Sequence, residues 1–455
     1  MTSCAGDLQM LVWLLILSAA AVMLLSQGLA GTTVTSPRSR ATAPVPGARR
    51  HLILIPDGLP YRVVAECHAA GGLAGFHPPQ RMICPFPSMT DLAMSDILGG
   101  ERPNAFEAQY FDRATGRLVG GAAAYMWGHN SMWMSRVDYR CRRIWAGIGY
   151  VRPRWVFRKE LRDLEARFRR SASPRFVAYL HATAGVGTAE GEDGLRHVLD
   201  RTDAFCRRLM KEHVDALDIT MLSDHGHTLC AARQADLAET LADSGFHVAH
   251  VLTGPRDVVI ARFGLVTYAA MWTQSAQNVA EALVENRATN LVMYPEEGAI
   301  AVRSADGVAR IHEHEGRYRY EPLTGDPLEL AAVIAELRRA NHVDGRGFVD
   351  DRALFLATAE HTYPDAPARI WRAFHGVVAQ SPDLIVTLRD DYWEGSRRLA
   401  RWTAVRSTHG SLNRENSTAF VMSTVGCLPA PIRTADFREA FSAPLDDPTH
   451  LPGRA

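Results

Sequence analysis

Residues 218–227 read DITMLSDHGH: a run rich in apolar and β-branched side chains, then serine, aspartate, histidine, glycine and a second histidine. A short apolar run of this kind predicts a buried strand, and charged groups straight after it need partners or a ligand. Upstream, residues 176–180 (FVAYL) form a similar run. Leu195, Val198, Leu199, Thr202, Phe205, Cys206 and Leu209 then recur at helical spacing. Strand, helix, strand in that order implies a parallel pair with a crossover, hence an α/β sheet. Residues 51–56 (HLILIP) predict a further strand buried on both faces. Downstream, 299–303 and 308–312 flank the turn Ala305-Asp306-Gly307 and predict a hairpin, 258–263 and 266–270 a second hairpin around Gly264, and 328–340 a helix. Leu384–Leu388 and Thr418–Ser423 return to core-strand character.

In such sheets ligands gather at the carboxyl ends of the strands. Four polar clusters lie there: Asp57-Gly58 after HLILIP, Pro87-Ser88-Met89-Thr90 before a helical stretch, Ser223-Asp224-His225-Gly226-His227 after DITMLS, and Ser407-Thr408-His409-Gly410 before Thr418. Two carboxylates, a hydroxyl and imidazoles suit zinc or a similar divalent ion.

Composition frames these motifs. The 455 residues are 47% hydrophobic and 22% charged, enough for a large core. Lys+Arg and Asp+Glu balance at 50 each, which gives no footprint for nucleic acid. Residues 10–25 (MLVWLLILSAAAVMLL) have a length between a signal-peptide core and a membrane span, and no Lys or Arg precedes them. Residues 1–30 therefore read as a signal peptide or an N-terminal membrane anchor. Both place the catalytic part outside the cytoplasm; a third reading is an apolar arm on a cytoplasmic protein. Residues 31–50 read as a flexible linker. Cys67, Cys84, Cys141, Cys206, Cys230 and Cys427 contain no CxxC pair, so a structural zinc cluster is not expected; in an oxidising compartment they are free to pair.

Taken in order, the four clusters resemble the type I phosphodiesterase/nucleotide pyrophosphatase branch of the alkaline phosphatase superfamily. The matching elements are the strand ending in Asp57-Gly58, the Pro-x-x-Thr turn ending in Thr90, Asp224-His225-Gly226, and Thr408-His409-Gly410. The resemblance spans about residues 51–425. It implies an α/β, alkaline-phosphatase-like sandwich over 51–445, with a mostly parallel central sheet, helices on both faces and a cap inserted around 244–380. It implies that one metal is held by Asp57, Thr90, Asp224 and His225, with Thr90 as nucleophile, and that His409 belongs to a second metal.

The second site departs from the family pattern Asp-x-x-Gly-His-x-x-Gly. After residues 176–180 the chain reads His181-Ala182-Thr183, then Ala184-Gly185-Val186-Gly187-Thr188-Ala189-Glu190-Gly191. The glycines survive, while Ala184 and Thr188 stand where ligands are expected. One occupied site, most simply Zn2+, is therefore expected, unless His181, Glu190 or Glu192 substitutes. His409 is then freed to act as general acid. The implied function is hydrolysis of a small anionic phosphate mono- or diester; the alternative is an impaired relative that binds an anionic ligand or a partner. Other residues read more plainly. His227 shapes the pocket, His312 and His314 lie on a solvated strand face, Tyr125, Trp127, Trp133 and Trp145 are core or pocket wall, and Arg140, Arg142 and Arg143 are surface charge.

Overall fold

Along Arg50–Pro56 the side chains alternate between two apolar layers. Leu52 and Leu54 meet Val63, Leu164, Phe168, Val198 and Leu199 on one side. Ile53 and Ile55 meet Met94, Ile97 and Trp133 on the other. Each such side chain contributes about 1.5–3 kcal/mol on burial, so the two layers hold the strand in one register. Helices Tyr61–Ala69, Pro153–Arg170 and Ala182–Glu212 cover the first face and Thr90–Leu98 the second. The computed structural model describes residues 49–127, 131–427 and 430–437. The segment 10–25, and with it the leader or anchor reading, lies outside the described residues. Among the described residues no helix is long and apolar enough to cross a membrane.

The first sheet has six strands in the order Ile432–Arg433, Gln80–Ile83, Thr418–Ser423, Leu217–Leu222, Arg50–Pro56, Arg175–Leu180. Thr418–Ser423 pairs antiparallel with both neighbours, and the other pairings are parallel. The sheet is thus mostly parallel with helices on both faces, as expected of the α/β class. Because Thr418–Ser423 runs against the rest, the loop preceding it, with His409, reaches the same edge as the residues following the other strands.

Residues 244–380 supply eight strands of a second, nine-stranded sheet. Its pairings are antiparallel except for His247–Val248 with Asp257–Ile260. Leu384–Leu388, grouped by sequence with Thr418–Ser423 as a returning core strand, belongs here instead, between Tyr268–Thr273 and Thr289–Glu296. An apolar run states that a strand is buried and not which sheet it joins. The two sheets meet at the functional edge: Thr267 N–H donates to His409 O at 2.8 Å.

Two local features are set only by the fold. The glycine-framed stretch 184–191 is helical, part of Ala182–Glu212 with a break at Gly191 (φ 68°). All six cysteines among the described residues are free thiols.

Candidate metal centre

Asp57 leaves the carboxyl end of Arg50–Pro56, and Asp224 and His225 come directly after Ser223 at the end of Leu217–Leu222, so parallel pairing alone brings them together. Their burial is nearly complete. The Asp224 Oδ1 atom accepts the backbone N–H of Gly58 at 2.9 Å and of His225 at 3.0 Å. Asp57 Oδ2 accepts the Tyr179 hydroxyl. The other carboxylate oxygens, Asp57 Oδ1 and Asp224 Oδ2, have no partner within the protein. His225 Nδ1 hydrogen-bonds Gly226 O at 2.9 Å. A carbonyl only accepts, so Nδ1 carries the proton and Nε2 presents a lone pair.

That nitrogen lies 3.4 Å from Asp57 Oδ1, 3.6 Å from Asp224 Oδ2 and 3.4 Å from Thr90 Oγ1. Ligands of a tetrahedral zinc ion at 2.0–2.1 Å stand about 3.3 Å from one another. Three oxygens at this spacing from one imidazole nitrogen, two of them buried and lacking a donor, fit a divalent cation. Electrostatics agree. Burial, then the neighbouring Asp224, pushes Asp57 well above the usual carboxylate range, and burial raises Asp224 as well. Two carboxyls so placed cannot both ionise without a countercharge. Asp57, Asp224 and His225 are the one group of three or more such side chains among the described residues that meets metal-ligand spacing.

Thr90 opens the helix Thr90–Leu98 after Met89, whose side chain makes no capping bond. Its hydroxyl lies 3.4 Å from His225 Nε2, beside the two carboxylates. The turn before it is held by Arg369, buried in helix Ala366–Phe374. Arg369 donates from Nη2 to Pro85 O and Ser88 Oγ, both at 3.2 Å, and from Nη1 to Leu412 O at 3.3 Å and Pro364 O at 3.0 Å. One guanidinium thus ties the Thr90 turn to the loop carrying His409.

His409 does join the cluster. Its ring stacks on His225 with centroids 4.0 Å apart, and its Nδ1 donates to Ser88 O at 2.9 Å. Burial, then His225, lowers its pKa to about 3. The neutral ring therefore offers a lone pair at Nε2. That suits the ligand role, whereas an acid needs a proton on that atom.

Ala184 and Thr188 lie one helical turn apart, both buried, and bring no carboxylate or imidazole. Of the substitutes, Glu190 pairs with Arg154 and Glu192 with Arg62 and Arg196, away from the centre. His181 does point inward, with Nδ1 3.5 Å from Asp57 Oδ2. Its backbone is set by Glu160, whose carboxylate accepts N–H from His181 at 3.1 Å and Ala182 at 2.8 Å. Tyr179, Glu160 and Arg369 escaped sequence reasoning. Tyr179 had a signal, its place one residue before the end of a parallel strand; Glu160 and Arg369 sit inside amphipathic helices and had none. Trp133, read as core or wall, donates to Asp91 Oδ1 at 2.7 Å and packs edge-on to Tyr179, bracing both sides of the centre. His312 hydrogen-bonds Glu321 at 2.9 Å, away from the centre.

Fold and donor set together define an α/β protein whose mostly parallel sheet carries a buried candidate divalent-metal centre around a threonine at a helix start. No protein-family model and no curated protein matches the sequence. Similar solved structures include a phosphonoacetate hydrolase from Sinorhizobium meliloti 1021 in complex with phosphonoformate, with 13% identity over 90% of this chain and 99% of that one, TM-score 0.45. They also include human ectonucleotide pyrophosphatase/phosphodiesterase 5, at 11% identity over 86% of this chain and 93% of that one, and its murine counterpart, at 11% over 86% and 94%, both with TM-score 0.44. The chemistry of the site rests on the distances above.

Proposed function

We propose that the chain is a metal-dependent hydrolase of phosphate mono- or diesters with Thr90 as nucleophile. The supporting observation is the spacing of Thr90 Oγ1, Asp57 Oδ1 and Asp224 Oδ2 around His225 Nε2, at 3.4–3.6 Å. Asp57, Asp224 and His225 would hold the ion, and this donor set suits zinc. When bound, the cation supplies the charge that favours the Thr90 alkoxide and offsets the phosphoryl oxygens. Thr90 gives up its proton to solvent, its Oγ–P bond forms and the ester P–O bond breaks to release the alcohol side as its oxyanion; water then breaks Oγ–P, its oxygen staying on phosphorus and one of its protons restoring the hydroxyl. The first N–H groups of Thr90–Leu98 face the same anion. Tyr179 fixes the Asp57 carboxylate and Arg369 fixes the turn. An aryl leaving group departs as phenolate without a side-chain acid, consistent with the lone pair that His409 presents. The apolar run at 10–25 supports placement outside the cytoplasm, by leader or anchor.

The test is hydrolysis of an aryl phosphodiester with and without EDTA, for wild type and Thr90→Ala. Chelation and substitution should each abolish turnover; equal rates for the two proteins would sink the proposal. A second reading, a silent relative that binds an anionic ligand, is favoured by the lack of ligands at Ala184 and Thr188. Elemental analysis separates the two, because a chain holding no metal after supplementation supports the silent reading.

A further inference from the structure

Beside the Asp57 centre stands a third imidazole. His227 Nε2 is fully buried and has no partner within the protein. Its Nδ1 lies 2.9 Å from Ser407 Oγ, which also accepts the Leu229 N–H at 3.1 Å. The ring is 5.3 Å from that of His409, centroid to centroid. Two glycines leave room at the free nitrogen. A Cβ at Gly58 would stand 2.7 Å from His227 Nε2, and one at Gly187 would stand 3.4 Å from it. Gly58 has φ +66°, so that position resists any side chain.

We propose that His227 and His409 form a two-imidazole seat for a second divalent cation beside the Asp57 centre. Both rings are held through Nδ1 by a fixed oxygen, Ser407 Oγ and Ser88 O, which is the arrangement that aims Nε2 of a ligating histidine. The two rings come from the Asp224 loop and the His409 loop, and Gly187 of helix Ala182–Glu212, next to Thr188, borders the free His227 nitrogen without bringing a ligand. With two protein ligands instead of the three usual for zinc, it is weaker than the Asp57 centre, and water or substrate oxygens complete it. The ligand is a borderline cation, zinc or cobalt, which imidazole suits. The proposal rests on the Asp57 centre being a metal site, and the test separates the two.

Full-length protein stripped with EDTA and dialysed is titrated with Co2+, followed by visible absorption and by elemental analysis. Wild type should fill in two steps, one tight and one at least tenfold weaker. His227→Gln should lose the weaker step and keep the tight one, with an unchanged circular dichroism spectrum. Ser407→Ala, which keeps the imidazole and removes its support, should weaken the second step alone. Asp224→Asn should lose the tight step. A single step in wild type, or a second step indifferent to His227→Gln, overturns the seat while leaving the Asp57 centre standing. Failure to bind any cobalt removes both.

Discussion

The imidazoles of His225 and His409 lie face to face, 4.0 Å apart and 17° from parallel, although 184 positions separate them in the chain. Each spends its Nδ1 proton on a backbone carbonyl, Gly226 O for one and Ser88 O for the other. Stacked neutral rings can share a narrow space; two imidazolium ions cannot. The pair is therefore arranged to offer lone pairs.

Removing the ion should destabilise the fold, because the cation binds only the assembled carboxylates. At a free concentration a hundred times its Kd, a ligand adds about 2.7 kcal/mol. For a domain of this size that is a shift of roughly 3 °C. Differential scanning fluorimetry with zinc and with EDTA reads it. Asp224→Asn should melt at one temperature in both buffers.

Thr90→Ala should cut hydrolysis of an aryl phosphodiester by at least about a thousandfold, the scale on which nucleophile deletions act, with bound metal near the wild-type level. Steady-state rates with elemental analysis check both halves. A variant retaining more than a tenth of the activity contradicts the assignment.

Stability should fall as pH rises from about 5 to 8. The cause lies away from the metal centre, in the buried Glu107, whose carboxylate accepts the Gly264 N–H at 3.2 Å. Burial raises its pKa from 4.5 to about 7. A carboxyl with a raised folded pKa contributes stability that is complete below its unfolded value and is lost as pH climbs through the folded one. At 1.36 kcal/mol per unit the loss is about 3 kcal/mol. Glu160, raised to about 7 by burial, acts in the same direction. Urea midpoints at pH 5 and pH 8 should differ less in Glu107→Gln than in wild type; an unchanged difference removes Glu107 as the source.

Arg369→Leu should cost about 3–5 kcal/mol, since a buried charge goes and Pro85 O, Leu412 O and Pro364 O lose a donor. The same change should lower kcat more than it raises KM, because the turn carrying Thr90 loosens. Urea titration and steady-state kinetics are the measurements. A variant within 1 kcal/mol of wild type would show that water satisfies those carbonyls.

Ala184→Asp with Thr188→His places a carboxylate and an imidazole one turn apart on one helix face. Metal content should rise toward two per chain at limiting free zinc. Unchanged stoichiometry would mean that this face does not look onto the centre.

What the sequence disclosed, and what it hid, follows from the range of each interaction. Asp57, Thr90, Asp224 and His225 stood out as candidates because each lies at or near a strand or helix end, which periodicity locates, whereas His409 lies mid-loop and entered through the motif order of the resemblance. The parallel core followed from the order of HLILIP, FVAYL and DITMLS. The nine-stranded sheet was only partly legible. The hairpin at Ala305-Asp306-Gly307 was visible in its turn, whereas the pairing of Leu384–Leu388 with Tyr268–Thr273 spans over a hundred residues and leaves no local mark. Arg369 and Glu160 act through single contacts to distant backbone, and no spacing rule reports those. His227 was visible as a residue but not as an unpaired nitrogen, since partner counts exist only in three dimensions.

The inverted strand Thr418–Ser423 has a consequence for synthesis. It is the element through which Gln80–Ile83, and the Thr90 turn after it, joins Leu217–Leu222 in the first sheet. A growing chain has both carboxylates and His225 in hand by residue 225, yet the hydroxyl has no place beside them until residue 423 leaves the ribosome. At 5–20 residues per second that interval is on the order of ten seconds or more. During that interval the candidate metal centre lacks its hydroxyl, and the arrival of Thr418–Ser423 brings the fourth atom of the cluster into place.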